Sequence, residues 1–343
     1  MERIVGRDKA LDWFIHLLLL LRKPGKNNLM VSQKSQVLIL GTGAMASLFA
    51  ARLASSGAKV KMLGTWMESI EKLNKNGVRL IGMDRVERSY LVEATNNPLE
   101  CVGSRFAIVL VKSIQTKRVA QQLSVCLAEN GIALTLQNGL GNDKTLAEVL
   151  GAERTASGVT TVGATLIEPG LVRYGGEGVI SLGKEERLQS LAEFLIKAGF
   201  EVEIVKNTDS LVWGKLVINA SINPLTALLK VPNGDLVANP TARTLMGFVA
   251  KETTAVSMAK GIKLPYMDPV AMVESVAQKT ASNQSSMLKD VIRNRPTEID
   301  AINGAVVLVG EAVNVPVDIN RTLWLLVKAL TAKTEGGEIG SFN

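Results

Sequence analysis

The chain has 343 residues, 47% of them hydrophobic and 21% charged, a balance that excludes a disordered or fibrous protein and leaves room for two folded domains. Its net charge of +7 suggests nucleic acid until it is divided: residues 1–35 carry seven Lys/Arg against three Asp/Glu, leaving +3 for the rest, with no basic stripe interleaved with aromatics, so no nucleic-acid partner is expected. Two cysteines without metal-ligand spacing and a single histidine, His16 near the N-terminus, argue against a disulfide scaffold or a metal site, favour a reducing, cytoplasmic setting, and leave proton transfer in the body to Lys, Asp, Glu, Tyr or Cys.

The first segment, MERIVGRDKALDWFIHLLLLLRKPGKNN, has an apolar stretch too short for the roughly 20 residues that span a bilayer. It has the length of a signal-peptide core, but RKPGKNN follows where small cleavage-site residues belong. Residues 1–35 are expected to be an extension outside the fold, arising from a translation start upstream of Met30 or otherwise dispensable. The rival reading is a membrane-surface segment; no stable membrane association is expected.

Next comes QVLILGTGAMASLFAARLASSGAKVKMLG. An apolar run over 37–40 leads into Gly41-Thr42-Gly43-Ala44-Met45-Ala46, then Leu48, Ala51 and Leu53 recur as on a helix, Gly57 closes it, and a second strand follows over 59–63. This is strand, G-x-G-x-x-A turn, helix, strand. The first Gly permits the tight turn, the second lets a pyrophosphate approach the backbone, and the small third residue lets helix and strand pack closely. The helix N-terminus then offers unpaired N–H groups to an anion. These positions are the expected dinucleotide site, the glycine pattern alone being weak and its place at the first strand giving it weight.

An NAD site usually carries Asp or Glu about 20 residues on, at the end of the second strand. Here the chain reads Leu63-Gly64-Thr65-Trp66. Nothing there repels a 2′-phosphate, so NADP is favoured, although no Arg follows to hold it. Lys72 and Lys75 are either its charge partners or a solvated helix face. The alternation continues with strands over 106–111, ending at Lys112, and 132–136, ending in Gln137-Asn138-Gly139-Leu140-Gly141-Asn142. Ligands in open α/β sheets lie beyond the carboxyl ends of strands, where Lys112 and Asn138 fall, with an ordinary turn as the alternative for Asn138-Gly139. Residues 155–183 read as hairpin-like strands completing the sheet, and 200–205 as the last strand.

From Thr208 strand signals vanish and helical patterns take over. The expected division is a Rossmann-type α/β domain over 36–207 and an all-helical domain over 208–335. The first helix, within DSLVWGKLVINASINP at 209–224, is apolar on almost every side, which marks a buried helix. Lys215, Asn219 and Asn223 recur at intervals of four, advance only about 40° per step and form one stripe about 12 Å long. Buried amides and ammonium groups need partners. Either the two Asn satisfy nearby backbone and Lys215 snorkels outward, or the stripe faces a cleft. Three in register favour the cleft, as does Pro224, which cannot donate to the Ala220 carbonyl. Further on, NQSSMLKDVIRNRPTEIDAINGAVV places Ser285-Ser286 before a helix and Thr297 with Asp300 as a capping box. That box accounts for Asp300 better than for Glu298.

GTGAMA after the first strand, Lys112, QNGLG at 137–141, WGKLVINASINPLTAL, PNG at 232–234 and SSMLKDVIRNRPTEID together resemble the ketopantoate reductase (2-dehydropantoate 2-reductase) family over about residues 36–330. The lysine-asparagine-asparagine-PLTAL and SSML…TEID motifs are far more specific than the glycine turn. The resemblance implies an NADP-dependent oxidoreductase that reduces 2-dehydropantoate with NADPH to (R)-pantoate, on the route to pantothenate and coenzyme A. It implies Lys215 as general acid and Glu298 as its partner, also near the nicotinamide end of the cofactor. It places Gly41, Thr42, Gly43, Ala44, Met45, Ala46, Lys112, Asn138 and Gly163 at NADPH, and Asn138, Lys215, Asn219, Asn223, Asn233 and Ser286 at substrate. A carboxylate nearby would keep Lys215 charged and oriented while burial pulls its pKa down.

Two features depart from the family pattern: Thr65, where NADPH-using members often carry Arg, and the N-terminal extension. Two rival functions stand beside the first, a reductase of another small 2-keto acid and a non-catalytic dinucleotide sensor. Helical second domains of this kind often pair, which makes a homodimer the expected assembly.

Overall fold

The computed structural model describes residues 36–332. The expectations for residues 1–35 and for the last three positions of the second domain fall outside the described residues. Strand β1 (Gln36–Leu40) opens the fold; Val37 to Leu40 are fully buried, as expected of a strand covered on both faces. After the glycine turn come α1 (Ala44–Ser55) and β2 (Lys59–Leu63), which pairs parallel with β1. Gly57 follows the helix with φ +88°, the left-handed conformation in which glycine ends a helix without strain.

The chain then runs through α2 (Met67–Asn76), β3 (Val78–Ile81), β4 (Glu87–Tyr90), β5 (Glu93–Thr95) and β6 (Ser104–Val109). Helix α3 (Thr116–Cys126), β7 (Leu127–Thr135), α4 (Asn142–Leu150) and β8 (Thr155–Thr160) follow, then β9 (Gly163–Glu168), β10 (Leu171–Gly176), β11 (Val179–Gly183), α5 (Gln189–Lys197) and β12 (Glu201–Val205). Eight strands form one sheet in the order β12-β11-β8-β7-β6-β1-β2-β5. All neighbours are parallel except β8 and β11.

Residues 155–183 do not all complete this sheet. Only β8 and β11 join it, whereas the β9–β10 hairpin enters a second sheet of order β4-β3-β10-β9. The reason lies in α1. Leu48, Phe49 and Leu53 are fully buried, and so is Val172 of β10, which shares their core cluster. A helix this apolar needs cover on the side away from the large sheet, and the small sheet supplies it. Lys72 and Lys75 are exposed on α2.

After β12 the described chain is helical: α6 (Asp209–Leu229), α7 (Asn233–Ala238), α8 (Pro240–Ala259), α9 (Pro269–Lys279), α10 (Ser286–Ile292), α11 (Ala305–Ala312) and α12 (Asp318–Thr331). Helix α6 packs against α8, α9, α10 and α12, as its all-round apolarity requires. Pro224 sits inside it without ending it. The Ala220 carbonyl that Pro224 leaves without a donor accepts instead from Asn303 Nδ2 at 3.1 Å, and the same amide group donates to Asn320 Oδ1 at 2.9 Å. A buried side chain thus replaces the missing helical hydrogen bond. Asn320 also donates to Glu252 Oε1 at 2.8 Å, and Glu252 accepts the Ile319 and Asn320 backbone N–H groups at the start of α12.

The capping box expected of Thr297 and Asp300 does not form. Asp300 Oδ1 accepts from Trp324 Nε1 at 2.7 Å and from Lys328 Nζ at 3.1 Å, while the backbone over Asp300–Gly304 makes a π-helical turn before α11. No helix among the described residues is long and apolar enough to cross a membrane. The two cysteines are free and buried.

Candidate active site

A cleft of about 590 Å³ runs from the glycine turn to α6. At one end Gly41 has φ +115° and donates its N–H to Leu63 O at 2.8 Å, which ties the start of the glycine turn to the end of β2. Gly43 precedes α1 and, among the described residues, no side chain caps the helix, so its first N–H groups stay open towards the cleft that Gly43, Ala44 and Met45 line. Ala46 faces the other way and is fully buried, the small residue at the helix–strand contact. The lining carries Lys112, Arg118, Lys215, Lys289, Arg293 and Arg295 against only two carboxylates, Asp290 and Glu298. Uncapped helical N–H groups and an excess of cations suit a polyanionic dinucleotide. Gly163 also lines the cleft, at the start of β9.

At the other end stand Glu298, Asn138, Lys112 and Lys215. Glu298 Oε1 accepts the Ser113 N–H at 3.2 Å and Oε2 accepts from Asn138 Nδ2 at 3.1 Å. Burial raises its pKa above the usual carboxylate range, against the pull of these two donors and of Lys112. Lys112 Nζ pairs with Asp290 Oδ1 at 2.5 Å and donates to Pro296 O at 2.7 Å, tying the segment after β6 to α10 and to the loop that follows it. Asn138 is fixed by its neighbour: Gly139 has φ +83°, a Cβ there would collide with the Ala301 carbonyl, and Leu140 N donates to that carbonyl at 2.9 Å. The QNGLG turn therefore docks on the π turn that follows Glu298.

Lys215 is half-buried and donates to Thr160 O, at the end of β8, at 2.7 Å. Burial lowers its pKa from 10.5 to about 8, although the Glu298 charge pulls upward. The expected influence of the carboxylate is electrostatic in direction, favouring the charged lysine. Glu298 acts on Lys215 through space, and the Thr160 carbonyl holds the ammonium.

The stripe on α6 divides. Lys215 lines both the large cleft and a second cavity of about 440 Å³, which Asn138 and Asn219 also line. Asn223 is buried and lines neither. Asn233 is likewise buried, donating through Nδ2 to Thr280 Oγ1 at 2.8 Å, while its Oδ1 has no partner among the described residues. Ser286 is exposed at the start of α10 and lines the large cleft.

Residues 37–187 match the family described as ketopantoate reductase PanE/ApbA, and residues 207–331 match its C-terminal part. The chain belongs to the ketopantoate reductase family. It is 35% identical over 302 residues to the 2-dehydropantoate 2-reductase of Archaeoglobus fulgidus, covering 86% of this chain and 97% of that relative. It is 32% identical to the enzyme of the same name from Pyrococcus horikoshii, covering 86% and 97%. Among solved structures, a PanE/ApbA family ketopantoate reductase from Ralstonia eutropha superposes with a TM-score of 0.81 at 30% identity, covering 86% of this chain and 98% of that one. A D-mandelate dehydrogenase solved with NADH and anilino(oxo)acetate superposes with a TM-score of 0.80 at 26% identity, again covering 86% and 98%.

Several cleft residues of this ketopantoate reductase family member carry no legible signal in sequence. Thr160 contributes a backbone carbonyl, which any residue would. Lys289 donates to Thr165 Oγ1 at 3.4 Å, and burial with the nearby Arg293 lowers its pKa. Arg118 and Arg295 reach the end of β2 from α3 and from the loop after α10, as only the folded chain reveals.

Proposed function

We propose that the chain reduces 2-dehydropantoate to (R)-pantoate with NADPH, Lys215 being the proton donor. The observation that carries this reading is the Lys215 ammonium, anchored on Thr160 O with its pKa lowered to about 8, across the cleft from a Glu298 held by Asn138 and Ser113. When bound, the reduced nicotinamide supplies the hydride. Lys215 stabilises the negative charge that develops on the substrate oxygen and then protonates it. A donor whose pKa lies near the working pH is well matched to that task. Asn138 and Asn219 offer amides on the same side, and Ser286 a hydroxyl. In this reading Asn223 and Asn233 belong to the substrate site as well, and the Asn233 Oδ1, without a partner among the described residues, supports that role. The glycine turn, Lys112 and Gly163 hold the dinucleotide. The domain division at 207/208, a homodimer and a cytoplasmic setting belong to the same proposal.

The named ligands of the D-mandelate dehydrogenase neighbour support a second reading, reduction of a different 2-keto acid on the same machinery. The deciding assay follows NADPH oxidation with ketopantoate, 2-ketoisovalerate and 2-ketoisocaproate. Preference for ketopantoate supports the first reading, and preference for an apolar acid sinks it.

A further inference from the structure

In dinucleotide-binding α/β folds the adenosine ribose lies near the end of the second strand, where a carboxylate accepts from a 2′-hydroxyl or an Arg accommodates a 2′-phosphate. Here that place is Thr65, and its geometry is fixed by the glycine turn: a Cβ added to Gly64 would lie 2.8 Å from Thr42 Cγ2, so the strand end rests directly on the turn. Thr65 has no charge of its own. Arg118, from the first turns of α3, donates from Nη1 to Thr65 Oγ1 at 3.1 Å. Its Nε is shielded from solvent and has no hydrogen-bond partner among the described residues. On the next residue, the Arg295 guanidinium lies over the Trp66 ring, 5.4 Å from the centroid. Thr65, Trp66, Arg118 and Arg295 all line the large cleft, and among the described residues neither arginine forms a salt bridge.

Two guanidinium groups without a salt bridge among the described residues, converging on one dipeptide at the ribose position, are an incomplete structure. A shielded, unpaired Nε is costly unless something accepts from it. We infer that Arg118 and Arg295 form the 2′-phosphate pocket of this chain, with the Thr65 hydroxyl between them. The charge missing from the second strand is thereby supplied from α3 and from the loop after α10. Planar guanidinium forks bind phosphate oxygens through charge-assisted pairs. This inference rests on the reading of the chain as an NADPH-dependent reductase, and it makes Arg118 and Arg295 determinants of coenzyme choice rather than of catalysis.

The test is equilibrium binding of NADPH, NADH and adenosine 2′,5′-bisphosphate to the full chain by calorimetry, for wild type, Arg118→Ala, Arg295→Ala and Thr65→Glu. Loss of one charged phosphate contact should weaken NADPH and the bisphosphate about 10- to 100-fold in Arg118→Ala while NADH stays within about twofold. Arg295→Ala should act in the same direction. Thr65→Glu, which pairs Arg118 internally and repels phosphate, should reverse the preference towards NADH. Unchanged NADH binding excludes misfolding. Equal losses for NADPH and NADH, or wild-type discrimination kept in both Arg variants, overturn the inference, as does a wild-type protein that binds NADH at least as tightly as NADPH. If NADPH is selected through Arg118 but no 2-keto acid is turned over, the pocket stands and the reductase reading falls.

Discussion

The titration of Lys215 makes the sharpest prediction. With a pKa of about 8, about nine-tenths of the lysines are protonated at pH 7 and about one-tenth at pH 9, so kcat/KM should fall about fivefold from pH 8 to 9 and about tenfold from pH 9 to 10. The assay is initial-rate NADPH oxidation with ketopantoate between pH 6 and 10, where kcat/KM reports ionisation in the free enzyme. Glu298 raises the Lys215 pKa, so Glu298→Gln should move the alkaline break downward. The linkage sign is the reverse of the usual lysine case. Because the folded pKa lies below 10.5, the unfolded chain binds more protons between about 8 and 10.5, and the contribution of this group to stability rises with pH across that window. A rate that stays level through pH 10, or a break that moves upward in Glu298→Gln, refutes the reasoning.

Two further predictions concern the supports of the site. Gly139→Ala places a Cβ against Ala301 O in a left-handed conformation. It should cost about 1 to 3 kcal/mol in urea unfolding and lower kcat/KM by disturbing both Asn138 and Glu298; unaltered values for both would contradict the docking of the two turns. Asn303→Ala leaves the buried Ala220 carbonyl without a donor, at a cost of about 1 to 3 kcal/mol. Pro224→Ala restores the helical N–H, so the double variant should lose less than the sum of the two single changes, and strict additivity would exclude this account.

The cofactor end was legible in sequence because it depends on local rules. A buried apolar strand, a glycine turn with one positive φ and an alanine at the helix contact are written within a dozen consecutive residues. Lys112 and Asn138 were legible as strand ends. The stripe on α6 was legible only as a spacing. Periodicity placed Lys215, Asn219 and Asn223 on one face, but spacing does not say how far along that face a cavity reaches: Asn223 is buried while Lys215 and Asn219 line cavities. Pro224 illustrates the limit. Its missing N–H pointed to a cleft, whereas the freed carbonyl is taken by Asn303, 83 residues away in the chain. Arg118 meets Thr65 across 53 residues and Asp300 turns to Trp324 instead of capping. Such pairings are set by how elements pack, and no local pattern encodes them. The second sheet has no local signal for a similar reason, since hairpin signals over 155–183 carry no mark of which sheet they join.

The most direct test of the central claim compares wild type with Lys215→Ala under saturating NADPH and ketopantoate at pH 7, with NADPH binding measured on both proteins. Wild type should oxidise NADPH in proportion to ketopantoate supplied, and Lys215→Ala should lose kcat about 10²-fold or more while still binding NADPH. A variant that keeps wild-type turnover would contradict the assignment of Lys215 as the proton donor.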